Sequence, residues 1–167
     1  MIKYLQYFAS PLTLFLAIYL CFQGAHYPTL FFIGFSLFVI LGDIFLGKNE
    51  LIGKYKYPNV LNIALYINLP LLFTLVFFTI CIFSNTIPIW ITNSLINYFS
   101  IDIIEKQNCY TILDRISLIG ITSLYIGAMG TVPGHELTHR KKNPFDMFIG
   151  NWLLALSWDC AFAIEHV

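Results

Sequence analysis

Two histidines lie four residues apart in the stretch GTVPGHELTHRKKNPFD, where His135, Glu136 and His139 form the pattern H-E-x-x-H. On a helix, residues at i and i+4 share one face, so both imidazoles can reach the same metal ion. The spacing therefore predicts a two-histidine metal half-site. The alternative is a pair of ordinary histidines beside basic residues, because so short a motif also occurs without a metal.

Two kinds of metal site fit this pattern. In a zinc peptidase, Glu136 would be the general base that activates a zinc-bound water, and Glu165 or His166 would be the third protein ligand. In a histidine-rich iron site, Glu136 would instead hydrogen-bond a ligand and orient it, and further histidines would be needed. The spacing alone leaves both sites open.

The composition places these residues in a membrane protein. Hydrophobic residues make up 58% of the chain and charged residues only 11%, whereas about 25% of the residues of a soluble domain are charged. The formal net charge is zero, so the chain has no basic field that would attract nucleic acid. Four apolar runs approach the length of about 20 residues that crosses a bilayer; they cover residues 8–23, 29–46, 60–83 and 112–132. We expect an all-α integral membrane protein of one domain, with about four transmembrane helices.

The positions of the cations predict the orientation. If each run crosses the membrane once, seven cations fall on one side: Lys3, Lys48, Lys54, Lys56, Arg140, Lys141 and Lys142. Because cytoplasmic loops carry the excess of lysine and arginine, the amino terminus and both histidines of the motif are predicted to be cytoplasmic. Residues 84–111 are expected to form a loop on the opposite side.

A shorter apolar stretch follows the last cations. Residues 147–157 are too few to cross a bilayer, so we expect an interfacial or re-entrant segment at about 146–163. Such a segment keeps Glu165 and His166 on the same side of the membrane as His135.

Four polar residues within or beside apolar segments are further candidates. Asp43 and Asp159 could face the metal site and support its ligands, or could simply reach the membrane interface. Asn62 and Asn68, in the third apolar run, are expected to bridge helices by hydrogen bonds.

The block GTVPGHELTHRKKNPFDMFIGNWLLALSWDCAFAIEHV resembles part of the membrane alkane 1-monooxygenase family, in the fatty acid desaturase-like superfamily. The segment HELTHR, residues 135–140, matches the first histidine box of that family at six positions. The segment EHV, residues 165–167, matches the opening of the second box, E-H-x-x-G-H-H. The resemblance implies that His135, His139 and His166 are iron ligands. The resemblance carries over no further residues; Glu136, Glu165, Asp43 and Asp159 are candidates for groups that hydrogen-bond the ligands.

The resemblance also implies a fold, an activity and partners. The fold would be a desaturase-like bundle of transmembrane helices in the bacterial inner membrane, with a cytoplasmic di-iron site. The activity would be O2-dependent hydroxylation of a terminal methyl group, with electrons from a rubredoxin-type protein and its reductase. The apolar substrate could be an alkane, a fatty acyl chain, a terpene or an aromatic methyl compound. The sequence stops at Val167, three positions before the paired histidines of the second box, so we expect a fragment of a longer reading frame, or else an inactive truncated relative.

Overall fold

The computed structural model describes residues 2–46 and 58–158, and every regular element within these two ranges is a helix. The first half contains α1 (Ile2–Gln23), α2 (Tyr27–Leu46), α3 (Pro58–Tyr66) and α4 (Asn68–Phe83). The second half contains α5 (Ile89–Phe99), α6 (Ile103–Cys109), α7 (Ile112–Tyr125), a π-helical segment (Ile126–Thr131), α8 (Val132–Thr138) and α9 (Pro144–Leu156). The predicted all-α class is confirmed.

Three stretches of the described chain are long and apolar enough to cross a membrane: Tyr27–Phe45, Asn59–Phe83 and Ile112–Thr138. A fourth apolar helix, Tyr7–Gln23, is shorter. The length and composition of these helices are compatible with membrane insertion, as the composition of the chain predicted.

Residues 84–111 are not the simple loop that we expected, because α5 and α6 lie within them. Both helices are shorter than the roughly 20 residues that a membrane-spanning helix needs. A local signal defines the start of α6: the Asp102 side chain accepts hydrogen bonds from the backbone N–H groups of Ile104 and Glu105. Thr111 and Asp114 then form a reciprocal capping box at the start of α7.

The core lies where α1, α4 and α7 meet. Leu14, Leu72 and Leu118, one from each helix, are completely buried. Where α1 meets α4, the Phe22 and Phe78 rings pack edge to face, with centroids 4.8 Å apart. These apolar contacts hold the long helix that carries the histidine motif against the rest of the bundle.

Helix α2 lies at the edge of the bundle. It packs on α7, where Gly120 lets the Phe32 ring approach so closely that an added Cβ would lie 2.8 Å from it. Only 6% of the apolar stretch Tyr27–Phe45 is buried within the chain. Its remaining large apolar side chains therefore face outward, as expected for a helix in contact with lipid.

Candidate metal half-site

A single long helix carries the histidine motif. It runs from Ile112 through the π-helical segment into α8, and the backbone of His139 is still helical at the carboxyl end of α8. Pro133 directly follows the π-helical segment, as the second residue of α8, and its missing N–H interrupts the hydrogen-bond ladder there without ending the helix. The helical geometry that the H-E-x-x-H spacing requires is therefore confirmed.

The π-helical segment determines which way this motif faces. A π turn bonds i to i+5 instead of i to i+4, so it contains an extra residue. Each residue turns a helix by about 100°, so the extra residue rotates everything that follows relative to an uninterrupted α-helix. The direction of His135 and His139 is therefore set by residues 126–131 as well as by their own spacing.

The two imidazoles of the motif meet at their ε nitrogens. His135 Nε2 and His139 Nε2 are 2.7 Å apart, the ring centroids are 4.6 Å apart, and both side chains are exposed. Two nitrogens that each lie about 2.1 Å from one ion, at a right angle, are separated by about 3.0 Å. The two nitrogens share a hydrogen bond in the structure, and a separation larger by about 0.3 Å would place them at neighbouring positions in the coordination shell of one metal ion.

Further ligands would have to come from elsewhere in the chain. Within residues 2–46 and 58–158, no group of three or more His, Cys, Asp or Glu side chains is placed to hold a metal ion. Asp43 is exposed on α2 and forms no such group with the two histidines. Asp159, Glu165 and His166 lie outside the described residues, so their proposed roles stay predictions.

Arg140 organises the polar groups next to the histidine pair. Its Nη2 donates a hydrogen bond to Glu136 Oε1 at 3.2 Å, and its Nη1 donates one to Asn62 Oδ1 at 2.7 Å. Its Nη1 also lies 3.7 Å from Asp146 Oδ2. Asn62 was expected to bridge helices; its hydrogen bond runs from α3 to Arg140, in the turn that follows α8.

Asp146 is a neighbour of the candidate site that the sequence interpretation missed. It is 3% exposed, and one of its carboxylate oxygens accepts a hydrogen bond from the Tyr66 hydroxyl. An aspartate in the first turn of a helix has an ordinary explanation in the helix dipole, which hid its role. The available signal was the pair Asn62 and Tyr66, because residues at i and i+4 in an apolar run present two polar groups on one face.

Helices α8 and α9 pack together through two glycines. A Cβ on Gly134 would lie 3.2 Å from the Gly150 carbonyl oxygen, and a Cβ on Gly150 would lie 3.0 Å from the Gly134 carbonyl oxygen. Earlier along the chain, a Cβ on Gly130 would meet the Leu153 carbonyl oxygen at 3.2 Å, so the two helices run antiparallel. Gly134 therefore serves the close packing of α8 on α9.

The direction of α9 follows from this packing. Its 13 residues span about 20 Å, and they return alongside α8 and the π-helical segment instead of leading away from the bundle. The turn of residues 139–143 thus places the histidine pair at the turn end of a helical hairpin, with the Arg140 network bracing that end.

The alkane monooxygenase resemblance depends on the histidine motifs alone. Comparison of the chain with protein-family models, with curated proteins and with solved structures found no match. None of these comparisons identifies a family, so the resemblance stays an interpretation of the motif around His135 and His139.

Proposed function

We propose that this chain is part of an integral-membrane, non-haem di-iron monooxygenase that hydroxylates alkyl chains. The proposal rests mainly on the 2.7 Å separation of His135 Nε2 and His139 Nε2 at the end of a long apolar helix. His166 would be a third ligand. Neutral imidazole is a common ligand of iron, which makes the pair suitable for an iron site.

Iron bound there would supply the activation of O2 for hydroxylation of a C–H bond, with electrons delivered by a rubredoxin-type protein and its reductase. The chain's own residues would hold the ligands in place. Arg140 ties the end of α8 to Asn62 on α3, and buried Asp146 ties α9 to Tyr66. These contacts reduce the rearrangement of the histidine side chains that metal binding would otherwise require.

The position of the half-site suits an apolar substrate. The histidines lie at the end of the apolar stretch Ile112–Thr138, so a molecule dissolved in the bilayer can approach the pair along the helices. A water-soluble enzyme would first have to extract such a substrate from lipid. The cation distribution predicts that this end of the bundle is cytoplasmic, where a reductase would be available.

A metal-binding measurement tests the histidine pair directly. The purified chain is loaded anaerobically with Fe²⁺ or with Zn²⁺, washed, and its metal content is determined by inductively coupled plasma spectrometry. We expect His135→Ala and His139→Ala together to abolish binding. His26→Ala is the matched control, because His26 is also exposed but lines a groove with Thr111 and Ile112, at the opposite end of the long helix.

The outcomes separate the possible functions. Equal metal contents in the wild-type and double-variant proteins would contradict both metal sites. A zinc-selective chain whose peptide cleavage is lost in Glu136→Gln, with metal retained, would establish the peptidase instead. The coding DNA beyond the Val167 codon gives a second test, because the hydroxylase requires paired histidines within the next few codons and another cluster later.

A further inference from the structure

An apolar groove of about 380 Å³ lies at the end of the bundle away from the histidine pair. Arg115 identifies this end, because its Nη1, near the start of α7, donates a hydrogen bond to the Ile82 carbonyl oxygen, near the end of α4. The volume is within the range of about 300–1,000 Å³ that small-molecule sites occupy. Residues of α1, α4, α5 and α6 line this phenylalanine groove, and five of them are phenylalanines: Phe22, Phe73, Phe77, Phe78 and Phe99.

The chemistry of the walls limits what the groove can hold. Eight of its nine lining residues are phenylalanine, leucine or isoleucine. The ninth, Thr74, donates its hydroxyl proton to the Pro70 carbonyl oxygen at 2.8 Å. A polar group inside the groove would lose its hydrogen bonds to water without gaining others. The part of a ligand that lies in the groove must therefore be apolar.

The groove has the depth of one leaflet of a bilayer. Phe73 and Phe77 line it on α4 and are 40% and 42% exposed. They belong to the apolar stretch Asn59–Phe83, so in a bilayer their exposed side would face lipid. Phe73 lies ten residues before the end of that stretch, which is about 15 Å along a helix and half of a hydrocarbon core about 30 Å thick. An acyl chain of a lipid covers the same depth.

Helix α5 borders the groove and has the composition of a helix at the membrane interface. Its 11 residues include no charged side chain, and none of them is buried. Trp90 and Tyr98 on this helix are 71% and 82% exposed. Tryptophan and tyrosine concentrate at the level of the lipid head groups. These properties suit a helix that lies among head groups beside the mouth of the groove.

The size of the groove favours a hydrocarbon chain over a helix of a second protein. A helix about 10 Å in diameter with a pitch of about 5.4 Å occupies about 420 Å³ per turn. The whole groove, of about 380 Å³, would not hold one such turn. A hydrocarbon chain is thinner and can follow the walls by rotating about its bonds. A second copy of this chain could cover the groove but could not fill it.

We propose that the phenylalanine groove binds one acyl chain of a membrane phospholipid, whose head group stays at the surface beside Trp90 and Tyr98. Because the head group fixes the depth of the chain, the chain has a defined register in the groove. Its ester end lies near Phe22 and Leu95, and its methyl end lies near Phe73. A free hydrocarbon has no head group and would show no such register.

Photolabelling with phosphatidylcholine probes tests both the site and the register. The chain is reconstituted in phosphatidylcholine nanodiscs that contain a small fraction of lipid with a diazirine, either near the ester or near the end of one acyl chain. Labelled residues are then identified by mass spectrometry. The ester-end probe should label Phe22 and Leu95, which line the groove and are half-buried. The chain-end probe should label Phe73 instead.

Two tryptophan substitutions on α4 separate the groove from ordinary lipid contact. Thr74→Trp places a large ring in the groove and should abolish labelling of Phe22 and Leu95, while labelling of Phe38, 70% exposed on α2, stays unchanged. Ile80→Trp is the control, because Ile80 is 61% exposed on the same helix but does not line the groove, and it should leave all labelling unchanged. If Thr74→Trp does not fold, as judged by its helical circular dichroism, the register found with the two probes on the wild-type protein still decides.

Three results would overturn the proposal. Label on Phe38 and Ile80 but not on Phe22 or Leu95 would mean that no acyl chain enters the groove. Equal labelling of the walls by the two probes would mean that the occupant is not anchored by a head group. Labelling of Phe22 and Leu95 that persists in Thr74→Trp would mean that lipid reaches them from outside the groove. None of these results depends on metal content, so failure of the di-iron proposal would leave this one standing.

Discussion

Replacing Gly150 with alanine should destabilise the α8–α9 hairpin, even though alanine is the better helix former. The added Cβ would lie 3.0 Å from the Gly134 carbonyl oxygen, 3.0 Å from Thr138 Cγ2 and 3.1 Å from Leu137 Cβ. All three distances are shorter than ordinary carbon contacts of about 3.5–4.0 Å. The first neighbour is backbone, which cannot turn aside as a flexible side chain can.

The magnitude follows from two opposing contributions. Overpacking a close contact by one carbon costs about 1–3 kcal/mol, and replacing glycine by alanine within a helix returns about 0.5–1 kcal/mol. Gly34→Ala on α2 isolates the second contribution, because nothing lies within 4 Å of a Cβ added there. The helix contribution cancels between the two variants, so Gly150→Ala should be less stable than Gly34→Ala by about 1–3 kcal/mol.

The assay is reversible unfolding of the purified chain in mild detergent by added dodecyl sulfate, followed by far-ultraviolet circular dichroism. Gly150→Ala should unfold at a lower dodecyl sulfate fraction than the wild-type protein, and Gly34→Ala at the same or a higher one. Coincident transitions for the two variants would refute the packing described for α8 and α9.

The same unfolding assay tests the polar contacts. Tyr66→Phe should lower the unfolding free energy by about 1–3 kcal/mol, because buried Asp146 loses a hydrogen-bond donor. Tyr98→Phe is the control: Tyr98 is 82% exposed, so this substitution should change the unfolding free energy by less than about 0.5 kcal/mol. A Tyr66→Phe protein as stable as Tyr98→Phe would contradict that contact. Asn68→Leu should leave the unfolding free energy unchanged or raise it, since the amide oxygen that the substitution removes is unsatisfied. Asn62→Leu should instead lower the unfolding free energy by about 1.5–3 kcal/mol, because a hydrogen bond to the charged Arg140 guanidinium is lost. Equal effects of the two asparagine substitutions would show that they occupy equivalent environments.

Much of the architecture could be predicted from local properties of the sequence. The low charge content and the long apolar runs predicted helices that can enter a membrane, because a helix surrounded by lipid must carry apolar residues on its surface. The i, i+4 spacing predicted that His135 and His139 share a face, because helical geometry alone relates them. Both predictions need only neighbours along the chain. Helices α5 and α6, within residues 84–111, escaped prediction because they are too short to leave an apolar run of membrane length.

The tertiary structure decided which groups meet across helices. Arg140 with Asn62, Asp146 with Tyr66, and the crossing of Gly134 and Gly150 are contacts between residues on different helices or separated by a turn. No spacing along the chain encodes them, because they depend on how the helices cross and on the rotation that the π-helical segment adds. The sequence thus determined that two imidazoles point the same way at the end of an apolar helix. Only the packing of that helix determined which polar groups brace them.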